Sequence, residues 1–448
     1  MDHIPNNMRM AAAKMSNYSR NRFRLETTSN DTAKAGRIVT VNLPEGGAIC
    51  DLKSFKMHMD VVTTQATVGG RTVYGRLPAD ASSLISRVEV YLNGVQLQQG
   101  AAEYNTICRI LKIGRSSRDR DGTIDRALSH GAVSMADAVE DVSVVMSDWK
   151  GFLGETSCRF IDTGLLGQVQ VRITFAGNEV LVPRESAVGI GTNLTDANAR
   201  TAASQIEYSA SNIFFTIDTV QVDPLYSEML RQRLSQEGEI SILYKEYYSF
   251  SLDNITTGAH TTRFSLSSGS IDKMYATFRD SNHQTVGVKG HAMAGAVFSD
   301  VGVANAFRFM SFDSSTSRAG ALRYQYSVNN VRSPQYRADI NDALFDVAYV
   351  NNKVHDDSPG TMITAISQFH QGMFVIPLLL NHPGEPIAVK SGYDSRGVNT
   401  MMTLEVSGQT VPPQSDAAQT TAALSSFVVC ETTAELKVGL GKSVAIHF

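Results

Sequence analysis

The chain has 448 residues, of which 42% are hydrophobic and 19% charged, and a formal net charge of −4. That length exceeds what one hydrophobic core usually fills, so two domains are expected, and the near-neutral charge excludes a global attraction to nucleic acid and makes any basic patch local. The four cysteines, Cys50, Cys108, Cys158 and Cys430, are scattered without CxxC or histidine spacing, which argues against zinc or a disulfide framework and fits a reducing compartment; no apolar run approaches the ~20 residues of a membrane span, and the start lacks the apolar core of a secretory signal.

The first residues set Arg9, Lys14, Arg20, Arg22 and Arg24 against the acid Asp2. A basic arm is therefore expected over residues 1–35. It either lies on an anionic partner, such as nucleic acid, a membrane or an acidic protein, or is a solvated terminus. From about residue 36 the pattern is that of strands. Phe55, Met57, Met59 and Val61 alternate with Lys56, His58 and Asp60, as in a strand with one face buried. Val88, Val90 and Leu92 lead to Asn93-Gly94, and the alternation resumes at Val95 and Leu97, which predicts a two-residue type I′ hairpin. Tyr104, Ile107, Cys108 and Leu111 then have helical spacing, stopped by Gly114.

Asp119, Asp121, Gly122 and Asp125 have the spacing of part of a calcium loop, but Ser117 and Leu128 stand where an acid and a bidentate Glu belong, so a charged surface turn is expected. The single tryptophan, Trp149, suits core or interface packing better than stacking on a sugar. Val169, Val171, Ile173 and Phe175 form another strand before a turn at Gly177-Asn178, and Ile213, Phe215 and Ile217 another. At the midpoint a helix is predicted in which Asp223 caps, Pro224 opens, Leu225, Met229 and Leu230 share a face, and Gly238 ends it. This helix joins the two domains. The sequons at Asn193 and Asn254 are read as chance occurrences.

The second half repeats the order of the first. "SIDKMYATFRD" parallels "DLKSFKMHMD", "LRYQYSVNNVRSPQY" with "DINDALFDVAY" parallels the hairpin and helix around Asn93, and "TMMTLEVSG" parallels "VRITFAGNE". Each pair is offset by about one domain length, which indicates a duplication. His355, Asp356 and Asp357 cluster without a second ligand group, and His283, His291, His370 and His382 are isolated, so no hydrolase or metal chemistry is indicated. The ending "LKVGLGKSVAIHF" contains GLGKS, yet Leu436 stands where a phosphate loop needs glycine. Leu436, Val438, Leu440, Val444, Ile446 and Phe448 alternate instead, which predicts a terminal strand. Many short strands with polar turns in both halves give an all-β expectation of two sandwich or jelly-roll domains, 36–237 and 238–448.

Four stretches carry a family resemblance: "DLKSFKMHMDVV", "SLISRVEVYLNGVQLQQGAAEYN", "DPLYSEMLRQRLSQEGEISILYKEYYSFSL" and "QFHQGMFVIPLLLNHPGEPIAVKSGYDSRGVNTMMTLEVSG". Their order resembles the double jelly-roll major capsid proteins of double-stranded DNA viruses, of the type found in polinton-like viruses and virophages. The resemblance implies two consecutive eight-stranded antiparallel jelly rolls, a homotrimer of pseudo-sixfold outline tiling an icosahedral shell, and residence in the virion after assembly inside the host cell. It implies no enzyme activity and no cofactor. The expected partners are further copies of the chain, penton and minor capsid proteins, and, through Arg9, Lys14, Arg20, Arg22 and Arg24 on the inner surface, DNA, an internal membrane or a minor capsid protein. A lectin-like double β-sandwich is the alternative, and a bicupin enzyme a weaker one that would need two histidine-rich clusters.

Overall fold

The structure is a computed structural model. It describes residues 19–448 except 46–48, 79, 99–101, 116–138, 187–188, 191–196, 222–223, 257, 287–303, 312–321, 352–362, 364–368, 371, 382–388, 397–400 and 409–422. The first half carries β1 (Ser19–Glu26), β2 (Ala33–Lys34), β3 (Ile38–Asn42), β4 (Ile49–Thr63), β5 (Gln65–Val68), β6 (Arg71–Arg76), β7 (Ile85–Leu92) and β8 (Val95–Gln98). Helix α1 (Tyr104–Arg115) follows, then β9 (Asp141–Met146), β10 (Phe160–Asp162), the short α2 (Thr163–Leu166), β11 (Val169–Phe175), β12 (Val182–Glu185), β13 (Gly189–Ile190), α3 (Ala197–Ala203) and β14 (Tyr208–Gln221). Helix α4 (Pro224–Glu237) leads to the second half: β15 (Glu239–Ile255), β16 (His260–Ser265), β17 (Ile271–Asp280), β18 (Arg323–Val328), β19 (Val331–Ala338), α5 (Ile340–Val350), β20 (Ile376–Leu379), β21 (Met401–Ser407), β22 (Leu424–Gly439) and β23 (Val444–His447).

In the first half one sheet runs β1-β14-β4-β10, with β2 added to β14 and β9 to β4, and the second runs β3-β11-β7-β8. In the second half the orders are β15-β22-β17-β20, with β23 added to β22, and β16-β21-β18-β19. Counting the principal strands of each half from its start, both pair first-eighth-third-sixth and second-seventh-fourth-fifth, all antiparallel. This is the two-sheet jelly roll, formed twice. A further small sheet, β13-β12-β6-β5, is built from the long connections of the first roll alone.

The sequence patterns act as expected inside the strands. Phe55, Met57, Met59 and Val61 of β4 and Val169, Val171, Ile173 and Phe175 of β11 are buried, while Lys56, His58 and Asp60 lie on the opposite side. Asn93 and Gly94 both take positive φ (51° and 82°), as a type I′ turn requires. The matching turn of the second roll, Asn329-Asn330, does the same (48° and 66°). The duplication is thus visible in backbone conformation as well as in strand order.

Three sequence expectations meet a different outcome. The range expected as an arm contains β1, whose residues pair with β14 from Ser19↔Gln221 to Glu26↔Phe214, so Ser19–Glu26 belongs to the first roll. The terminal alternation is divided: β22 ends at Gly439, Gly441 and Lys442 take positive φ (75° and 63°), and β23 folds back with Val444 opposite Val438. GLGKS is therefore a hairpin turn, made possible by the glycine at the left-handed position. The turn at Gly177-Asn178 is a short 3-10 segment, Asn178–Val180. Asp119, Asp121, Asp125, Asn193, Asp223, His291, His355, Asp356, Asp357 and His382 lie outside the described residues.

Trp149 is buried, donates from Nε1 to the Phe55 carbonyl at 2.9 Å and packs 5.5 Å from the Phe55 ring, so no face of its ring is open to a sugar. The turn after it is tight. A Cβ on Gly154 would lie 1.8 Å from the Trp149 carbonyl oxygen and 2.7 Å from its carbon, both rigid backbone. Gly154→Ala is expected to destabilise the protein by at least the ~1–3 kcal/mol typical of overpacking; a melting temperature equal to that of the unchanged chain would refute this tight approach.

Candidate functional site: the seam between the rolls and the basic edge strand

Helix α1 belongs to the first roll by sequence but is buried from Tyr104 to Gly114 apart from Arg109. A helix apolar on most of its circumference needs neighbours on both sides. Tyr104 and Cys108 join the core cluster of the first roll, and Ile107, Ile110, Leu111 and Ile113 join that of the second. Three of the polar groups it buries are matched: Lys112 Nζ reaches Asp80 at 2.6 Å, Asn105 donates to the Ser83 carbonyl at 3.2 Å, and the Tyr104 hydroxyl accepts from the Lys150 amide at 2.7 Å.

The surface that receives α1 is the outer face of β15-β22-β17. Strand register sets Tyr247 opposite Glu431, and Glu431 opposite Lys273, all turned away from Cys430, Met274 and Phe278, which line the second core. At the C-terminus of α1, Arg115 donates to Glu155 of the first roll at 2.7 Å and to Glu431 of the second at 2.5 Å. The Tyr247 hydroxyl donates to the other oxygen of Glu155 at 2.5 Å. Lys245 pairs with Asp272 at 2.6 Å and lies 3.7 Å from Glu431. Just before α1, Glu103 takes both guanidinium nitrogens of the buried Arg279, at 2.5 and 3.2 Å. Ion pairs therefore clamp both ends of the helix onto the second roll.

Between the clamps the contact is backbone and aromatic. Ser157 donates to the Leu243 carbonyl at 2.8 Å and Lys245 returns a bond to the Glu155 carbonyl at 2.9 Å. The Tyr244 hydroxyl donates to the Leu97 carbonyl at 2.7 Å, and its ring meets Phe152 edge-on at 5.5 Å. Burial alone would raise the Glu431 carboxyl, but Arg115, Lys273 and Lys245 outweigh it and hold the group below the usual carboxylate range. Burial and the Glu155 charge push the Tyr247 hydroxyl up, so it stays a donor.

Of the basic residues singled out in the sequence, Arg9 and Lys14 lie outside the described residues. Arg20, Arg22 and Arg24 lie on β1, the edge of the first sheet. Arg20 and Arg22 both pair with the buried Asp218, Arg22 at 2.7 Å through Nε. Asp218 lies opposite Asp51 on β4, which is also buried and takes two nitrogens of Arg159, at 2.9 and 2.8 Å. Arg24 bonds Glu26 at 2.6 Å and lies 4.0 Å above the Phe214 ring, on which His58 stacks at 4.6 Å and 1°. Burial, then Lys56, Arg22 and Arg24, lower the His58 pKa. Charges that the sequence offers to an external anion are thus engaged, in part, in fastening β1 to its sheet.

Sequence reasoning missed the seam residues. One signal was available: Glu431 interrupts the apolar run "FVVC" in a strand whose neighbours on both faces are buried, and a charge there needs a partner. Among the described residues no group of three or more His, Cys, Asp or Glu could hold a metal ion, and no helix is long and apolar enough to cross a membrane.

No protein-family model matches the chain, and no curated protein matches it. Solved structures do. The PBCV-1 virus capsid, in a quasi-atomic model, superposes with a TM-score of 0.55 at 13% identity, covering 97% of both chains. PBCV-1 VP54, in a crystal structure fitted into a reconstruction of the virophage Sputnik, gives 0.58 at 13%, again with 97% of both chains covered. This chain therefore has the double jelly-roll fold of those viral capsid proteins, through both rolls.

Two outcomes follow from the ion pairs. Because the Glu431 carboxyl is lowered in the folded state, its contribution is present in full above the ordinary value of ~4.3 and is lost as pH falls towards the lowered one. Glu431→Gln should cost about 3–5 kcal/mol at neutral pH, as for a broken buried pair, and should flatten the acid limb of a stability-against-pH curve; an unchanged limb would show that Glu431 is not paired. Asp218→Ala should leave Arg22 without its carboxylate and Arg20 held only by its 3.2 Å pair with Asp51, and should speed amide exchange over residues 19–26 ahead of the rest of the first sheet. Equal protection in both proteins would mean that the carboxylate does not fasten β1.

Proposed function

We propose that this chain is a non-enzymatic major capsid protein of a double-stranded DNA virus, working as a homotrimeric, pseudo-hexameric building block of an icosahedral shell. The observation that carries this reading is the pair of like-folded jelly rolls fixed to each other by a buried, ion-clamped helix, in a fold shared over 97% of the chain with the PBCV-1 capsid. A rigid unit with two similar rolls presents six similar sides when three copies close a ring, and closed rings are the usual form of homo-oligomers. Further copies, penton proteins and minor capsid proteins are its partners in the virion. The residues before β1, with Arg9 and Lys14, are proposed to meet an anionic inner partner, DNA or membrane.

The first test is solution mass by light scattering followed by negative-stain imaging. A mass about three times 48.7 kDa with hexagonal particles supports the reading; a stable monomer with no assembly at high concentration overturns it and favours the lectin-like alternative, to be probed on glycans. For the arm, removal of residues 1–18 is the informative deletion, because a cut at residue 24 would also remove most of β1. The shortened protein should keep its melting temperature yet assemble poorly, and normal particles would exclude a role for the arm.

A further inference from the structure

Two histidines bracket the strand end that carries the Glu103–Arg279 clamp, and neither has a place for a second ring proton. At one corner of the second roll β15 ends at Ile255 and β17 at Asp280, both opposite Leu424, where β22 begins. His283 lies just beyond this corner and is buried. Its Nδ1 is 2.8 Å from the Asp280 carbonyl, which also accepts from the His283 amide at 3.0 Å. A carbonyl oxygen only accepts, so Nδ1 carries the ring hydrogen and Nε2 is a bare acceptor. That Nε2 is covered and has no hydrogen-bond partner among the described residues. Two residues before Asp280, the Phe278 ring meets His260 of β16 edge-on, at 5.4 Å and 90°. Both nitrogens of His260 are covered and unpartnered among the described residues. Between Phe278 and Asp280 stands Arg279, which Glu103 holds through both guanidinium nitrogens.

We propose that His283 and His260 make this corner an acid-operated latch: on acidification their protonation opens the end of β17, frees Arg279 from Glu103 and releases the start of α1 from the second roll. The latch does not depend on the capsomer reading, since every group in it belongs to one chain. A proton added to His283 puts an N–H on Nε2 with no acceptor in reach and a second positive charge beside Arg279; one added to His260 leaves two N–H groups unmatched. In the opened corner water satisfies all of them. The groups facing His283 are Arg279 and Asp280 of β17, Glu103 ahead of α1 and Asp253 of β15; Arg308 faces Asp280, and Glu179 of the first roll faces Glu103. Burial, then Arg279, push the His283 ring below its ordinary value, against the Asp280 carbonyl, Glu103 and Asp253. Burial alone pushes His260 down to about 4. Both rings are thus neutral in the closed corner, and the opened one binds more protons below the ordinary histidine value of ~6.5. The closed form therefore loses stability as pH falls from ~6.5 towards the lowered values. Glu103 does not compete in this window. Burial opposes its charge, but Arg279 holds it below the usual carboxylate range, so the clamp's own acid stays ionised down to ~4.3 and beyond.

The test uses the full chain. Amide exchange over α1 and β17, corrected for its intrinsic pH dependence, is followed from about pH 7 to about pH 5. The opening constant should rise about tenfold per pH unit for each histidine that the opening exposes, and about a hundredfold when it exposes both. His283→Gln with His260→Phe keeps a donor for the Asp280 carbonyl and an apolar contact for Phe278; this double variant should lose the acid limb and keep its protection at neutral pH. Should it fail to fold, deuterium exchange at the imidazole C2 carbons of the unchanged chain reads each ring directly, and both should titrate below ~6.5. Four results would each overturn the latch: no acid limb in the unchanged chain, a limb that survives in the double variant, either ring titrating at its ordinary value, or a limb confined to the first sheet, where His58 is also lowered.

Discussion

One arginine bridges the two halves of this molecule. Arg115 spends one terminal nitrogen on Glu155 of the first roll and the other on Glu431 of the second, at the end of a helix with scarcely any exposed side. An ion pair in such a place gains little over well-packed apolar groups, but it is intolerant of misplacement, because a slip leaves a buried charge without its partner. The apolar surface of α1 holds the rolls together, and the ion pairs at its two ends fix the angle at which they meet.

The two rolls have the same strand order and different electrostatic designs. The outer face of β15-β22-β17 carries buried charges, Glu431, Asp272 and Arg279, each answered by a group in the seam or its sheet. The corresponding face of the first roll keeps its carboxylates, Asp51 and Asp218, buried beneath arginines whose other sides reach solvent. Since arginine presents several donors in a planar fork, it can fasten an edge strand and still offer charge outward. An exposed sheet edge is otherwise open to adventitious pairing, and a cationic edge strand is one established protection.

Much of the fold was legible in the sequence. The period-2 burial of β4 and β11, the Asn93-Gly94 turn and the Pro224–Gly238 helix rest on local rules, since alternation and turn residues act within a few positions along the chain. The duplication was legible for a related reason: turns and strand spacings persist when identities do not. The beginning of the first roll was misplaced because β1 reads as a run of arginines. Only its pairing with β14, nearly 200 residues away in sequence, makes it a strand. The tail was misjudged as one strand because a two-residue period continues unbroken across a hairpin when the turn is of the right length.

The sequence by itself determined the class of the protein: all-β, duplicated and with a basic beginning. Those are properties of composition and of short-range pattern. The tertiary structure alone decided which charges are free and which are engaged. Asp218 meets Arg22, Glu431 meets Arg115 and Glu103 meets Arg279 through contacts between positions far apart along the chain. It also decided that α1 is buried nearly all round while α5, of similar pattern, buries Ala343, Val347 and Val350 but keeps Phe345 and Tyr349 exposed, because the second roll of the same chain lies against α1. No local rule carries that information, since it depends on where the rest of the chain has gone.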